Sequence, residues 1–160
     1  FKGFPAVINF PSPGFAYGQH RRNLERNNYG VQQELKTLRT AKELGFYTFG
    51  LAYDEEIAMQ IAADNHDALV LGLAMLEWEN GGATLEQAAE YINRVSTKAK
   101  AVAPEMLIFV QGLPVQTPED TQYIYDHTDA VGFIGINNMD YGTKPIQDTV
   151  AAFKSAKIRA

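Results

Sequence analysis

Cysteine is absent from the 160-residue chain, which excludes disulfides and zinc–thiolate centres and fits a reducing compartment. No apolar run comes near the roughly 20 residues needed to cross a bilayer, and no charged-then-apolar leader is present. A cytoplasmic protein without a membrane partner is therefore expected. Nucleotide signatures are missing as well. Neither G-x-G-x-x-G nor a Walker sequence follows any strand-like run, so no nucleotide cofactor is expected. No Ser/His/Asp order or nucleophile elbow occurs, which leaves nucleophilic hydrolysis without a candidate. Histidine is limited to His20, His66 and His127. His66 and His127 read as surface residues, and His20 adjoins Arg21 in a loop. Excess positive charge is also lacking. A formal net charge of −5 argues against general nucleic-acid binding, which needs a basic face.

What remains is an ordinary globular composition, 46% hydrophobic and 21% charged, with material for one core. The run Ala6-Val-Ile-Asn-Phe10 leads into Pro11, Pro13, Gly14 and Gly18 and then Arg21 and Arg22. Prolines fix φ and glycines open unusual backbone conformations, so the stretch 9–34 reads as a shaped, basic loop that a buried strand delivers and that runs into a helical pattern. Val31, Leu35, Leu38, Ala41 and Leu44 then carry helical spacing, and Gly45 ends the pattern. Four further strand-like runs follow at 46–53, 67–75, 106–112 and 129–136. Asp54, Thr84 and Thr117 stand where helix N-caps belong, with Pro118 one residue inside the third. Five strands, each followed by a helix, imply a parallel sheet, because parallel neighbours need a crossover. An open doubly wound sheet and a (β/α) barrel both satisfy that pattern. A full barrel needs eight units and about 250 residues, so length and period alone favour the open sheet.

A longer pattern bears on that choice. Asn9-Phe10-Pro11, Gly14, Gly18, Arg21, Asn23-Leu24-Glu25, Gly30 and Glu34 fall without a gap on a motif of the phosphoenolpyruvate hydrolase-like family, a TIM-barrel family. Gly45, Thr48, Gly112, Pro114, Gly132-Phe133, Gly135, Met139 and Phe153-Lys154 continue the match along essentially the whole chain. The chain thus resembles the C-terminal portion of that family. The resemblance implies an α/β fold of parallel (β/α) units, strands four to eight of a TIM (β/α)8 barrel. It implies a single partial domain over 1–160, with the N-terminal units outside this chain. Where family members carry histidine after the sixth and seventh strands, this chain has Gly72-Leu73-Ala74 and Gln111-Gly112-Leu113-Pro114.

Ligands of (β/α) barrels sit at the C-terminal strand ends, which nominates Asn9, Tyr53 or Asp54, Glu77, Gln111, Asn137 and Asn138. Arg21 and Arg22 could grip a carboxylate or phosphate, or instead be solvated or paired with Glu25. Gly112 and Gly135 would let backbone N–H groups approach a phosphate, or simply pack tightly. Glu77, Glu79 and Asp140 could bind Mg²⁺ through oxygen or act as a general base, or be solvated. The catalytic set is then Glu77, Asp140 and Gln111, and the substrate-binding set Asn9, Arg21, Gly112, Gly135, Asn137 and Asn138. The resemblance implies an enzyme acting on a small phosphorylated or 2-oxo acid. The alternative is an inactive barrel kept as a ligand-binding or protein-interaction scaffold, favoured by the replaced histidines. Five strands leave two edges, so self-association or docking with the missing half of the barrel is expected.

Overall fold

A computed structural model describes residues 3, 5–76, 82–135 and 143–159. Five strands run β1 Ala6–Ile8, β2 Tyr47–Ala52, β3 Ala68–Gly72, β4 Leu107–Gln111 and β5 Ala130–Ile134. The helices are α1 Gly18–Arg26, α2 Val31–Glu43, α3 Glu55–Ala63, α4 Leu85–Val102, α5 Pro118–His127 and α6 Thr143–Lys154.

All neighbouring strands pair in parallel, and their spatial order is their chain order. That order decides between the two architectures. A doubly wound sheet reverses direction at a switch point and places helices on both faces, whereas a barrel adds each strand beside the last and keeps its helices on one face. No reversal occurs, and the fold is that of part of a (β/α) barrel. Alternation along the strands agrees. Leu69, Leu71, Ile108, Val110 and Ala130 form one buried cluster with Leu35 and Leu38 of α2, Ile61 of α3, Ile92 of α4 and Ile124 of α5. Residues one position away face the concave side: Phe49 meets Phe109 edge-on at 5.2 Å and Tyr47 at 5.4 Å.

Two glycines allow the layers to meet. A Cβ on Gly50 would lie 2.5 Å from Ile61 Cγ2, so α3 rests directly on the backbone of β2. A side chain on Gly132 would enter the Phe109 ring on the opposite face.

The N-caps follow the sequence closely. Asp54 Oδ1 accepts from the Ile57 N–H at 2.8 Å, and Thr84 and Thr117 each close a capping box, with Gln87 and Asp120 respectively. One reading needs correction. The stretch 9–34 is not an extended loop but a short 3-10 turn, Pro13–Phe15, followed by helix α1, which has no buried residue. Without an apolar stripe the usual periodic signal is missing, and α1 is held instead through the polar contacts of Arg21 with Asp54 and of Glu25 with Gln32.

His66 requires a second correction: it is only 2% exposed. The Thr48 hydroxyl donates to Asp67 Oδ2 at 2.9 Å, so it must accept from His66 Nδ1–H at 3.0 Å, leaving Nε2 as the lone-pair nitrogen. No hydrogen-bond partner among the described residues meets Nε2, and Asp64 Oδ2 stands 4.0 Å away. This knot locks the N-terminal ends of β2 and β3, away from the ligand end. Burial lowers the His66 pKa; Asp64 and Asp67 push it up, and Lys42 and Arg39 push it down. The unfolded chain therefore binds the proton more readily. Stability from this site is fully present above the ordinary histidine value of about 6.5 and falls as pH drops below it through the lowered folded value. Denaturant midpoints should decline from pH 7 to pH 5, and His66→Gln should flatten that slope; an equal slope in both proteins would dismiss the role of this histidine.

Candidate functional site

At the opposite, C-terminal end of the strands, four side chains lock the β1 loop to its neighbours. Asn9 follows the last paired residue of β1 and continues the ladder with its side chain: Oδ1 accepts the Leu51 N–H at 2.6 Å, and Nδ2 donates to the Leu51 carbonyl at 3.1 Å. The same Nδ2 donates to Glu34 Oε2 at 3.1 Å. Ser12 donates to that oxygen at 2.6 Å while its Oγ accepts the Gly14 N–H at 3.0 Å. Glu34 lies in the first turn of α2, so β1, its loop, α2 and β2 meet at one carboxylate. Glu25 supports the next turn of chain. Its carboxyl group fills the space a Cβ on Gly30 would need, and its Oε1 accepts the Gln32 N–H at 3.4 Å. A side chain at Gly30 would displace this carboxyl group from the start of α2.

Tyr53, just past β2, joins this knot to the concave face. Its ring meets Phe15 edge-on at 6.1 Å, lies 3.2 Å from where a Cβ on Gly14 would stand, and covers Gly72, whose added Cβ would be 2.5 Å away. Gly72 pairs in register with Gln111, and Gln111 with Ile134. In a parallel sheet such partners share a face, so Tyr53, Gly72, Gln111 and Ile134 form a row across the inner rim. Gln111 Oε1 is buried and meets no hydrogen-bond partner among the described residues. Beside it Gly112 adopts φ +93°, a left-handed conformation suited to glycine.

Electrostatics single out Glu34. Burial raises its pKa, hydrogen bonds from Ser12 and Asn9 lower it, and the charge of Glu25 raises it further, leaving it above the ordinary carboxylate range. Burial also raises the Tyr53 phenol, helped by the Glu34 charge, so Tyr53 stays a protonated donor at neutral pH.

A family model described as phosphoenolpyruvate hydrolase-like matches residues 1–156. The chain belongs to this family. Among its relatives in the family are a protein of Sinorhizobium fredii named transcriptional regulatory protein y4pA, 29% identical over 162 residues and 96% of this chain. Two tomato proteins, the ToMV susceptible protein tm-1(GCR26) and the ToMV resistance protein Tm-1(GCR237), are each 26% identical over 94% of the chain. The chain spans 26% of the length of the first and 20% of each of the others.

Of the family-motif positions, the structure brings Asn9, Gly14 and Glu34 together. Gln111, Gly112 and half-buried Gly135 stand at the ends of β4 and β5. Glu77, Asn137, Asn138 and Asp140, with Glu79, lie outside the described residues. Arg21 is placed differently from expectation: its Nη1 binds Asp54 Oδ2 at 2.6 Å, and Asp54 also caps α3. Its partner is thus Asp54 and not Glu25. Arg22 is bonded to Gln19 and exposed. Arg21, Arg22 and Arg26 share an open cleft of about 520 Å³ with Glu25 and Glu56 on the outside of α1. Among the described residues no three histidine or acidic groups converge on a metal-sized site, and the carboxylates considered for Mg²⁺ are not among them. No described helix is long and apolar enough to cross a membrane.

Ser12 and Glu34 are the site residues that local sequence signals passed over. Spacing put Glu34 on the first turn of a helix, but only the fold turns it toward Asn9. Replacing Asn9 with Ala should leave both Leu51 backbone groups unsatisfied at a buried position and destabilise the protein by about 1–3 kcal/mol; urea unfolding would measure it, and an unchanged midpoint would contradict the ladder role.

Proposed function

We propose that this chain forms part of the ligand-binding rim of a phosphoenolpyruvate hydrolase-like enzyme that acts on a small phosphorylated or 2-oxo acid. Three further (β/α) units would complete the barrel and the rim. The observation that carries the reading is the Gln111 amide: a buried polar atom without a partner among the described residues, on the inner row at the end of a strand, beside a glycine backbone able to approach a ligand. Buried polar groups are ordinarily satisfied, so an orphan at the ligand end of a barrel is a place where a ligand atom fits. Rotation of the terminal amide can offer either Oε1 as acceptor or Nε2 as donor, and an oxo or phosphoryl oxygen would take the Nε2 hydrogen. Tyr53 supplies a second neutral donor from across Gly72. Gly72 has no side chain, and the Tyr53 ring lies over it.

In this reading Gly112 and Gly135 present backbone to the anion, and the free N–H groups of Arg21 add long-range attraction while Asp54 holds its other edge. Asn9 positions the loop. Glu77, Asp140, Asn137 and Asn138 would complete the rim as acid, base and amide contacts. A bound Mg²⁺ would add charge stabilisation to the leaving oxygen, but no role given above depends on it.

A scaffold function is the second reading. It is favoured by the names of the relatives, one a transcriptional regulatory protein and two linked to virus susceptibility and resistance, and by the engagement of Arg21 with Asp54.

Release of phosphate from phosphoenolpyruvate by the complete protein discriminates the two. The enzyme reading expects turnover that falls about 10–100-fold in Gln111→Ala, the range for losing one hydrogen bond to a charged ligand, and that falls also in Arg21→Ala. Well-folded protein with no turnover on phosphoenolpyruvate or on a panel of 2-oxo acid phosphates would favour the scaffold.

A further inference from the structure

Glu34 is a partly buried carboxylate that the fold places without a cation. Both of its hydrogen bonds, from Ser12 Oγ and Asn9 Nδ2, fall on Oε2. Among the described residues Oε1 receives none, and Glu34 forms no ion pair. The Arg21 guanidinium of α1 is paired with Asp54 instead. The groups that face Glu34 from neighbouring elements are the like-charged Glu25 of α1 and the neutral phenol of Tyr53 beyond β2. A glutamine could accept the same two hydrogen bonds through its amide oxygen, so the loop can close without the negative charge, which strengthens those bonds but meets no cation among the described residues. The charge acts on Tyr53, the first member of the inner row that continues through Gly72 and Gln111.

We propose that Glu34 is the proton-accepting group of the rim: when an anionic 2-oxo acid enters beside Tyr53 and Gln111, Glu34 takes one proton from solvent and stays protonated while the ligand is bound. The inference rests on the oxo-acid reading of the rim. Its physical basis is that a carboxylate ligand brings a second negative charge next to one that has no counter-ion, and two such charges in a partly desolvated site cannot both remain ionised cheaply. Uptake of a single proton removes the repulsion. The step is balanced: one proton leaves bulk water, the Oε1–H bond forms, and the complex gains one positive charge. The bound acid then carries a carboxyl proton at the rim, available to a ligand oxygen on which negative charge develops.

Isothermal titration of the complete protein with pyruvate tests this, since pyruvate remains fully ionised across the range and any proton exchanged must come from the protein. Heats measured between pH 5.5 and 7 in two buffers of different ionisation enthalpy should reveal uptake approaching one proton per pyruvate in the wild type. Glu34→Gln should bind pyruvate at least as tightly with that uptake abolished, and should unfold at the same or a higher temperature at pH 7. Should Glu34→Gln fail to fold, the ¹³C shift of the Glu34 carboxyl in the wild type answers instead: movement to the acid form on adding pyruvate supports the inference, and a constant shift overturns it. Pyruvate binding without proton uptake, or with equal uptake in both proteins, overturns the Glu34 role and leaves the oxo-acid site standing. Absence of pyruvate binding by the folded wild type overturns that site and the Glu34 role with it.

Discussion

The hydrogen bonds of Asn9 to the backbone of Leu51 hold the ligand end of this fold together. β1 pairs with β2 over only three residues, and past Ile8 the ladder would end and the strands would splay. Asn9 supplies a donor and an acceptor from one amide and so extends the pairing without committing further backbone. Its remaining hydrogen bond captures Glu34 and with it the start of α2. Ser12 adds the loop. The position of Tyr53 over Gly72, and therefore the shape of the inner rim, follows from how these groups fix the loop and the end of β2.

That arrangement carries an electrostatic burden. Glu34 closes the knot with an oxygen that needs no charge, while like-charged Glu25 stands nearby and caps the same helix. The histidine knot at the other end of the strands behaves differently. His66, Thr48 and Asp67 use one hydroxyl proton to order a neutral imidazole, and that group serves only to join β2 to β3. Conservatively built polar contacts at the N-terminal strand ends and a strained charge at the C-terminal ends match the division between stability and ligand chemistry in (β/α) barrels.

Much of the fold was legible from residue patterns. All five strands, the helices after β1 to β5 and the three caps at Asp54, Thr84 and Thr117 could be read because each rests on local chemistry: apolar alternation, a side-chain oxygen before a helix, a proline in its first turn. Helix α1 could not, since a helix that buries no residue fully and is held through Arg21 and Glu25 has no apolar stripe to display. His66 was misread for a related reason. A lone histidine two residues after a capping aspartate looks solvated in sequence, and only the packing of α2 and α3 over the start of β2 encloses it. The choice between open sheet and barrel was likewise outside the reach of periodicity, because both architectures repeat the same unit and differ only in where the next strand is added.

The candidate site divides along the same line. The family motif and the strand ends marked Asn9, Gln111 and Gly112 from the sequence alone, and the missing cysteines, membrane spans and nucleotide loops narrowed the chemistry without any structure. Tertiary structure decided the rest: that Arg21 faces Asp54 and that, among the described residues, Glu34 meets no cation and the Gln111 oxygen no partner. Those facts depend on which side chains meet across separations of tens of residues, and the free energy of a charge or a polar atom is set by the neighbours it meets, not by its place in the chain.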